Sequence, residues 1–332
     1  MKRIALLIII FGCIFHHSIF SQTVYPDRFI VSQEGDGDFR TIQEAVNAVR
    51  DLSQQQVRIY IRKGVYREKI VIPSWKTNIS FIGDGTGQTI ITNADYSGKP
   101  YTDTVDAFGK KAFTTYNSYT VLVQGNDFTA EGLTIQNTAG RVGQAVALHV
   151  EADRVVIKNC RLLGNQDTLY TATENSRQYY VNCYIEGTTD FIFGQATAVF
   201  QWCTIHSLSN SYITAASTTP RQAFGFVFLN CKFTADKEAT KVYLGRPWRP
   251  YAKTVFIRCY MGPHILPQGW DNWRNPANES TAYYAEFHSE GPGAHAAARV
   301  KWSKQLTEKD IESYTLKQIF NYQDPWNPTT NK

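Results

Sequence analysis

The sequence predicts an all-β chain wound as a parallel β-solenoid, with one amphipathic helix capping its N-terminal end. Three observations carry this reading. From Val57 onward the chain is a series of short apolar runs broken by Gly, Asn and Asp, with no helical period between them. Five of these runs end in cysteine: Val-Val-Ile-Lys-Asn-Cys160, Tyr-Tyr-Val-Asn-Cys183, Val-Phe-Gln-Trp-Cys203, Phe-Val-Phe-Leu-Asn-Cys231 and Val-Phe-Ile-Arg-Cys259. Two of the five extend the match, because Asp167 follows Cys160 and Asp190 follows Cys183 by the same seven residues. One unit recurring with variable insertions is a solenoid signature. A β-sandwich is the alternative, but it has no need of one residue type at equivalent places.

Taken in order, Met1-Lys2-Arg3 and the apolar run Ile4 to Phe15 have the form of a secretory signal peptide. Residues 1–21 are read as that signal, with cleavage after Ser21, and 22–332 as a single domain. The run is too short for a stable membrane span. Ile-Phe-Gly-Cys13 offers lipoprotein anchoring as an alternative to a secreted or periplasmic protein. Phe29 to Ser32 reads as a strand, followed by the turn Glu34-Gly-Asp-Gly-Asp38. Thr41 and Glu44 then have capping-box spacing, and Ile42, Ala45, Val46 and Val49 share one helical face. A lone helix ahead of many strands suits a lid on an open solenoid end. Strands follow at Val57 to Ile61, Ile70 to Ile72, Ile79 to Ile82, Thr89 to Thr92, Val121 to Val123, Leu133 to Ile135, Val146 to Val150 and Val155 to Ile157.

A second ladder sets the register. Asp167 to Thr171, Asp190 to Gly194, Ser211 to Ala215 and Val242 to Arg246 align so that Leu169, Ile192, Ile213 and Leu244 stack in the core, with Tyr170 and Phe193 outside. Period-two alternation would put each aspartate on the face of the aliphatic two residues later. The aspartates are therefore placed at the corner where a turn enters the strand. Adjacent coils lie about 4.8 Å apart, so Asp167 and Asp190 become neighbours on one surface, a candidate active site. The cysteines read as an inward ladder of small apolar side chains. A disulfide between stacked coils is the sharper alternative.

Composition removes other classes. An apolar fraction of 43% is that of a globular chain rather than a disordered one. The signal segment holds Lys2 and Arg3 and no acid, so without it the net charge falls from +5 to +3. That balance tolerates an acidic polymer, while no Lys/Arg cluster marks a nucleic-acid footprint. No cysteine or histidine spacing suits a metal, so neither metal nor cofactor is expected. Gly83-Asp-Gly-Thr-Gly87 has the wrong glycine spacing for a phosphate loop, and no Gly-x-Ser-x-Gly occurs. The sequon Asn278-Glu-Ser280 is given no role, and His149, His206, His264, His288 and His295 read as surface or packing residues.

Five motifs are dense in polar groups: Gly64-Val-Tyr-Arg-Glu68, Gln144-Ala-Val-Ala-Leu148, Gln166-Asp-Thr-Leu169, Asp190-Phe-Ile-Phe-Gly194 and Leu244-Gly-Arg-Pro-Trp248. With Gln136-Asn-Thr-Ala-Gly140, Pro267-Gln-Gly-Trp270 and Arg299-Val-Lys-Trp302, the chain resembles the pectin methylesterase (pectinesterase) family over nearly all of its mature length. The resemblance implies a right-handed parallel β-helix and a carboxylic ester hydrolase that removes methyl esters from homogalacturonan (pectin), acting without a cofactor. It implies Asp190 as nucleophile, Asp167 as general acid and then base, Gln144 and Gln166 as oxyanion donors, and Arg246 as the residue orienting Asp190. Thr115, Gln144, Arg246, Trp248, Phe193 and Trp270 would meet the substrate, and a monomer is expected. Gly143 stands where the family often has His, and Asn165 where it often has Tyr; both departures touch substrate contacts rather than the reaction. Two rivals stay open: a β-helix glycosidase acting on polygalacturonate with the same two carboxylates, and a thioesterase-like or carbohydrate-binding relative.

The residue types suit ester chemistry in their own right. A carboxylate is a weak nucleophile, so Asp190 needs a charge-assisted partner such as the planar Arg246 fork. The like charges of Asp190 and Asp167, helped by aromatic surroundings, should raise the pKa of one member of the coupled pair, leaving a protonated acid to give its proton to a leaving alcohol. Neutral amides at Gln144 and Gln166 stabilise an oxyanion without adding ionisable groups.

Overall fold

The computed structural model describes residues 25–329 apart from 103, 107, 108, 322 and 323. The signal reading for residues 1–21, with Cys13, lies outside the described residues. Three parallel sheets of eleven, eight and seven strands wind the chain into a β-helix, and from Val57 to Pro247 each coil passes through all three before the next begins. Val155–Lys158, Arg161–Leu163 and Leu169–Thr171 make one such coil, and Arg177–Val181, Tyr184–Gly187 and Ile192–Gly194 the next.

The cysteine repeat is produced by the corner between the first and second sheets. The residue before each cysteine sits in the left-handed region: Asn159, Asn182, Trp202, Asn230 and Arg258 all have φ between 51° and 53°. Asn tolerates that backbone better than most residues, which accounts for the recurring Asn-Cys pair. The turn is fixed, so the cysteines stack. The N–H groups of Tyr184, Thr204, Lys232 and Tyr260 donate to the carbonyls of Cys160, Cys183, Cys203 and Cys231 at 2.8–3.0 Å. All five thiols are free and buried, an inward ladder without a disulfide. Beside it the rings of Tyr180, Phe200, Phe228 and Phe256 stack in successive coils at 4.5–4.8 Å.

The N-terminal end is closed as expected by the helix Ile42–Ala48, with a complete Thr41/Glu44 capping box and Ile42, Ala45 and Val46 buried. Glu68 caps it again, accepting from the backbone N–H groups of Ile42 and Gln43 at 3.0 and 3.1 Å. The Gly64–Glu68 motif is thus a helix anchor. The C-terminal segment adds what the sequence reading does not contain. Two short helices, Glu308–Ile311 and Leu316–Phe320, bring Ile319, Phe320 and Trp326 onto the outer face of the eleven-stranded sheet, against Val199, Val227 and Val255. Buried Arg177 holds this segment by paired bonds to Asp324 and one to the Phe320 carbonyl.

One register expectation is corrected. Ile192 pairs with Thr214, not Ile213, so Phe193 faces Ala215 and, one strand on, Arg246. The strand Tyr212–Ala216 runs five residues against three in Ile192–Gly194, and its first residue lies beside the corner, where the Asp190 N–H donates to the Tyr212 carbonyl at 2.8 Å. A one-residue slip exchanges the two faces of a strand. Here it moves Arg246 out of the inward row of Thr171 and Gly194 and into the outward row of Tyr170 and Phe193.

Candidate active site

The outward row of the seven-stranded sheet is Val71, Leu122, His149, Tyr170, Phe193, Ala215 and Arg246, one residue per coil. Asp167 and Asp190 stand at the corner beside it, each two residues ahead of a paired aliphatic, Leu169 and Ile192. Both have positive φ, 66° and 47°. Aspartate bears that conformation at lower cost than most residues, and here it releases the side chains from the alternation of the strand. The backbone fixes each in place, the Asp167 N–H donating to the Thr189 carbonyl at 3.1 Å.

Both carboxyls are buried. Asp167 is pushed well above the usual carboxylate range, first by burial and then by the charge of Asp190, with Arg246 opposing. Asp190 is also raised by burial, but the hydrogen bonds and charge of Arg246 pull it back, with Asp271 adding a small upward push. The upward push is the stronger on Asp167, which lacks the hydrogen bonds Arg246 gives Asp190, and two carboxyls this close titrate as a pair. Arg246 makes the difference. Its Nε and Nη2 donate to the two oxygens of Asp190 at 3.0 and 2.6 Å. The guanidinium lies between Tyr212 and Trp273, 3.9 and 3.7 Å from their ring centroids.

Gln144 and Gln166 occupy the neighbouring coils and form an isolated parallel bridge, the Ala145 N–H donating to the Gln166 carbonyl at 3.1 Å. Neither side-chain amide is committed to a hydrogen bond among the described residues. The Gln144 segment is held from behind. Buried Asn137 reaches the carbonyls of Asp95, Ser118 and Val146 at 2.9–3.1 Å, and the Val146 N–H donates to the Ser118 hydroxyl. The Gln136–Gly140 motif therefore acts through the backbone. Gly143, at φ 114°, keeps the turn before Gln144 open.

Aromatic rings make the floor. Tyr170 stacks on Phe193 at 4.4 Å and meets His149 at a tilt of 38° at 4.4 Å; Trp248 meets Phe193 edge-on at 5.9 Å, and exposed Tyr116 meets Tyr170 at 5.8 Å. Thr115, next to Tyr116, lies on the same excursion. Phe193 is only 4% exposed, so it supports Tyr170 and Trp248 more than it offers a surface of its own. Trp270 is corrected as a substrate contact. It is 1% exposed, stacked at 4.2 Å on Tyr284 inside the helix, because Gly245 pairs with it and draws it under the strand that carries Arg246. Trp273, three residues on, is the ring that reaches the site. Tyr212 and Trp273 were both absent from the sequence reading; the register slip hid the first and the Gly-Trp motif masked the second. Asn278 is 5% exposed and donates to the Asn272 carbonyl, which leaves the sequon unavailable.

The site thus joins a carboxylate gripped by Arg246, a second buried carboxyl beside it, and two glutamines in neighbouring coils whose amides are uncommitted among the described residues. The pectinesterase family model matches residues 28–323. The chain belongs to the pectinesterase family. It is 41% identical over 303 residues to a pectinesterase/pectinesterase inhibitor of Brassica campestris, covering 86% of this chain and 51% of that protein. The chain spans about half the length of the curated pectinesterase/pectinesterase inhibitor relatives it matches. Among solved structures, carrot pectin methylesterase superposes with a TM-score of 0.81 at 37% identity, covering 90% of this chain and 94% of that one. A pectin methylesterase in complex with hexasaccharide VII gives 0.78 at 30% identity, covering 93% and 100%. The shared pectinesterase fold is the right-handed parallel β-helix.

Proposed function

We propose that this chain is a carboxylic ester hydrolase that removes methyl esters from the galacturonate units of pectin and releases methanol. The observation that carries the reading is the split within the carboxyl pair: Asp190 is gripped by Arg246 through both oxygens, while Asp167 beside it is buried without such a partner and is pushed further up. Asp190 attacks the ester carbonyl carbon, and the oxyanion that forms is met by the amides of Gln144 and Gln166. Collapse expels methoxide, which takes the proton of Asp167 and leaves as methanol. Asp167, now a carboxylate, takes a proton from water as that water attacks the acyl–Asp190 carbon, returning Asp190 and a free galacturonate. Trp248, Tyr170 and Thr115 frame the sugar. The names of the relatives and the hexasaccharide complex support the substrate class.

The test is incubation with highly methylated pectin. Methanol without chain shortening supports the reading, whereas new reducing ends without methanol assign the carboxyl pair to a glycosidase. Asp190→Asn is the control, since asparagine also tolerates the left-handed backbone. Export belongs to the same reading, supported by the apolar run 4–15, and N-terminal sequencing of the mature protein at Gln22 tests it.

A further inference from the structure

The outer face of the eleven-stranded sheet lies on a different side of the helix from the catalytic row, and the C-terminal segment covers only part of it. Beside Trp326, and lined on that side also by Asn327, Pro328 and Thr329, a groove of about 380 Å³ runs from Trp202 and Tyr179 across the sheet to Arg58. From the strand Arg177–Val181 to the strand Val57–Ile61 is four strand steps, about 19 Å at the usual sheet spacing. That length suits several pyranose rings.

Two features set the groove apart. The corner ladder that places Asn at 159, 182 and 230 places Trp at 202, with the same φ of 53°. A bulky ring is a rare occupant of that backbone, and it is not there for packing, because Trp202 is 56% exposed. The second feature is charge. Arg154 is matched by Asp127 and Lys158 by Glu131, each within 2.8 Å, while Arg58 makes no ion pair among the described residues. The lining carries one positive charge in excess.

We propose that this groove is a second binding site, for a run of uronate sugars in an acidic polysaccharide. A sugar ring stacks on the flat face of Trp202, Arg58 takes a carboxylate through its fork, and Lys158 exchanges Glu131 for another. Such a site holds the protein on a long polymer and raises the local concentration of chain at the cleft, with no effect on chemistry at a short substrate. The proposal draws on the pectinesterase reading only for the choice of polymer.

The experiment is affinity electrophoresis of the full chain and its Trp202→Asn and Arg58→Gln variants through gels holding unesterified polygalacturonate. Each variant should lose at least about threefold in apparent affinity, more salt should weaken the wild type, and kcat/KM on a short methyl-esterified oligomer should stay within about twofold. Trp202→Asn should melt at or above the wild-type temperature, since asparagine relieves the corner, so a lost affinity cannot be lost folding. Unchanged migration of both variants overturns the proposal, as does equal retardation by a neutral glucan. A wild-type dimer in sedimentation that Trp202→Asn dissolves, with retardation intact, gives the groove to a second copy instead. Failure to release methanol would defeat the proposed activity and leave the retardation result standing.

Discussion

Arg246 grips both oxygens of Asp190 while its guanidinium is held flat between Tyr212 and Trp273. The fork needs planarity to bond twice, and the sandwich needs a delocalised cation; lysine offers neither. Arg246→Lys should therefore lower kcat on the order of a hundredfold with a small change in KM. It should also move the acid limb of the pH profile to higher pH, because Arg246 is what opposes the upward push of burial on Asp190. Wild-type kinetics with an unmoved acid limb would remove Arg246 from the orienting role.

The burial of Asp167 also bears on stability. Asp167 has its folded pKa raised, so between its unfolded and folded values the folded chain binds the extra proton, and stability falls as pH rises through that window. Above it the buried charge is a standing cost. Asp167→Asn should then raise the melting temperature at neutral pH, with the gain vanishing below about pH 4, the ordinary aspartate range. The same change removes the proton donor and should abolish methanol release. A variant that melts lower at pH 7 than at pH 3, relative to wild type, contradicts the assignment.

Catalytic rate should depend on both groups. With the proposed roles of Asp190 as nucleophile and Asp167 as acid, kcat/KM should follow a bell whose acid limb belongs to the pair losing its nucleophile and whose alkaline limb belongs to the pair losing its acid. Gln144→Ala should leave both limbs in place and lower the plateau by roughly 10²–10³, the usual loss for one oxyanion donor. A shifted bell with an unchanged plateau would make Gln144 a tuning residue instead.

How much of this was legible in the sequence depends on what fixes each residue. The cysteine ladder was readable because one left-handed corner turn, with Asn at three of its five occurrences, recurs before each cysteine. The aspartate pair followed from the same offset. The slip between Ile192 and Thr214 was not, because alignment by residue type cannot see where a corner ends and a strand begins. The C-terminal helices, four and five residues long, are too short to show a period, although Thr307 and Asp310 already carried a capping signal.

Trp270 and Trp273 show the limit in one pair. Both are tryptophans of one short stretch, and only three-dimensional packing sends the first inside and the second to Arg246. Trp270→Ala should cost roughly 3–5 kcal/mol of stability, the range for emptying a large core site. Trp273→Ala should lower kcat while the melting temperature moves little. Denaturant unfolding and kinetics on the two variants decide it, and the reverse pattern would return Trp270 to the cleft.

The Trp273 N–H donates to Asp271 at 2.7 Å, and the turn before this stretch is braced by a buried ion pair. Arg299 donates through Nε and Nη2 to Glu286 at 2.6 and 3.2 Å, and further bonds go to the carbonyls of Leu266, Pro267 and Gly293 and to the Met261 sulfur. It thereby fixes the turn that leads into Trp270 and Trp273. Both partners are buried, so Arg299→Met strands a carboxylate without its counter-charge and should cost roughly 3–5 kcal/mol. Replacing both, Arg299→Met with Glu286→Leu, removes the stranded charge and should restore much of that loss. The turn carbonyls stay unmet, so kcat should remain low in the double variant even where the fold is intact. Full recovery of kcat along with stability would show that the pair serves the core alone and has no part in placing Trp273.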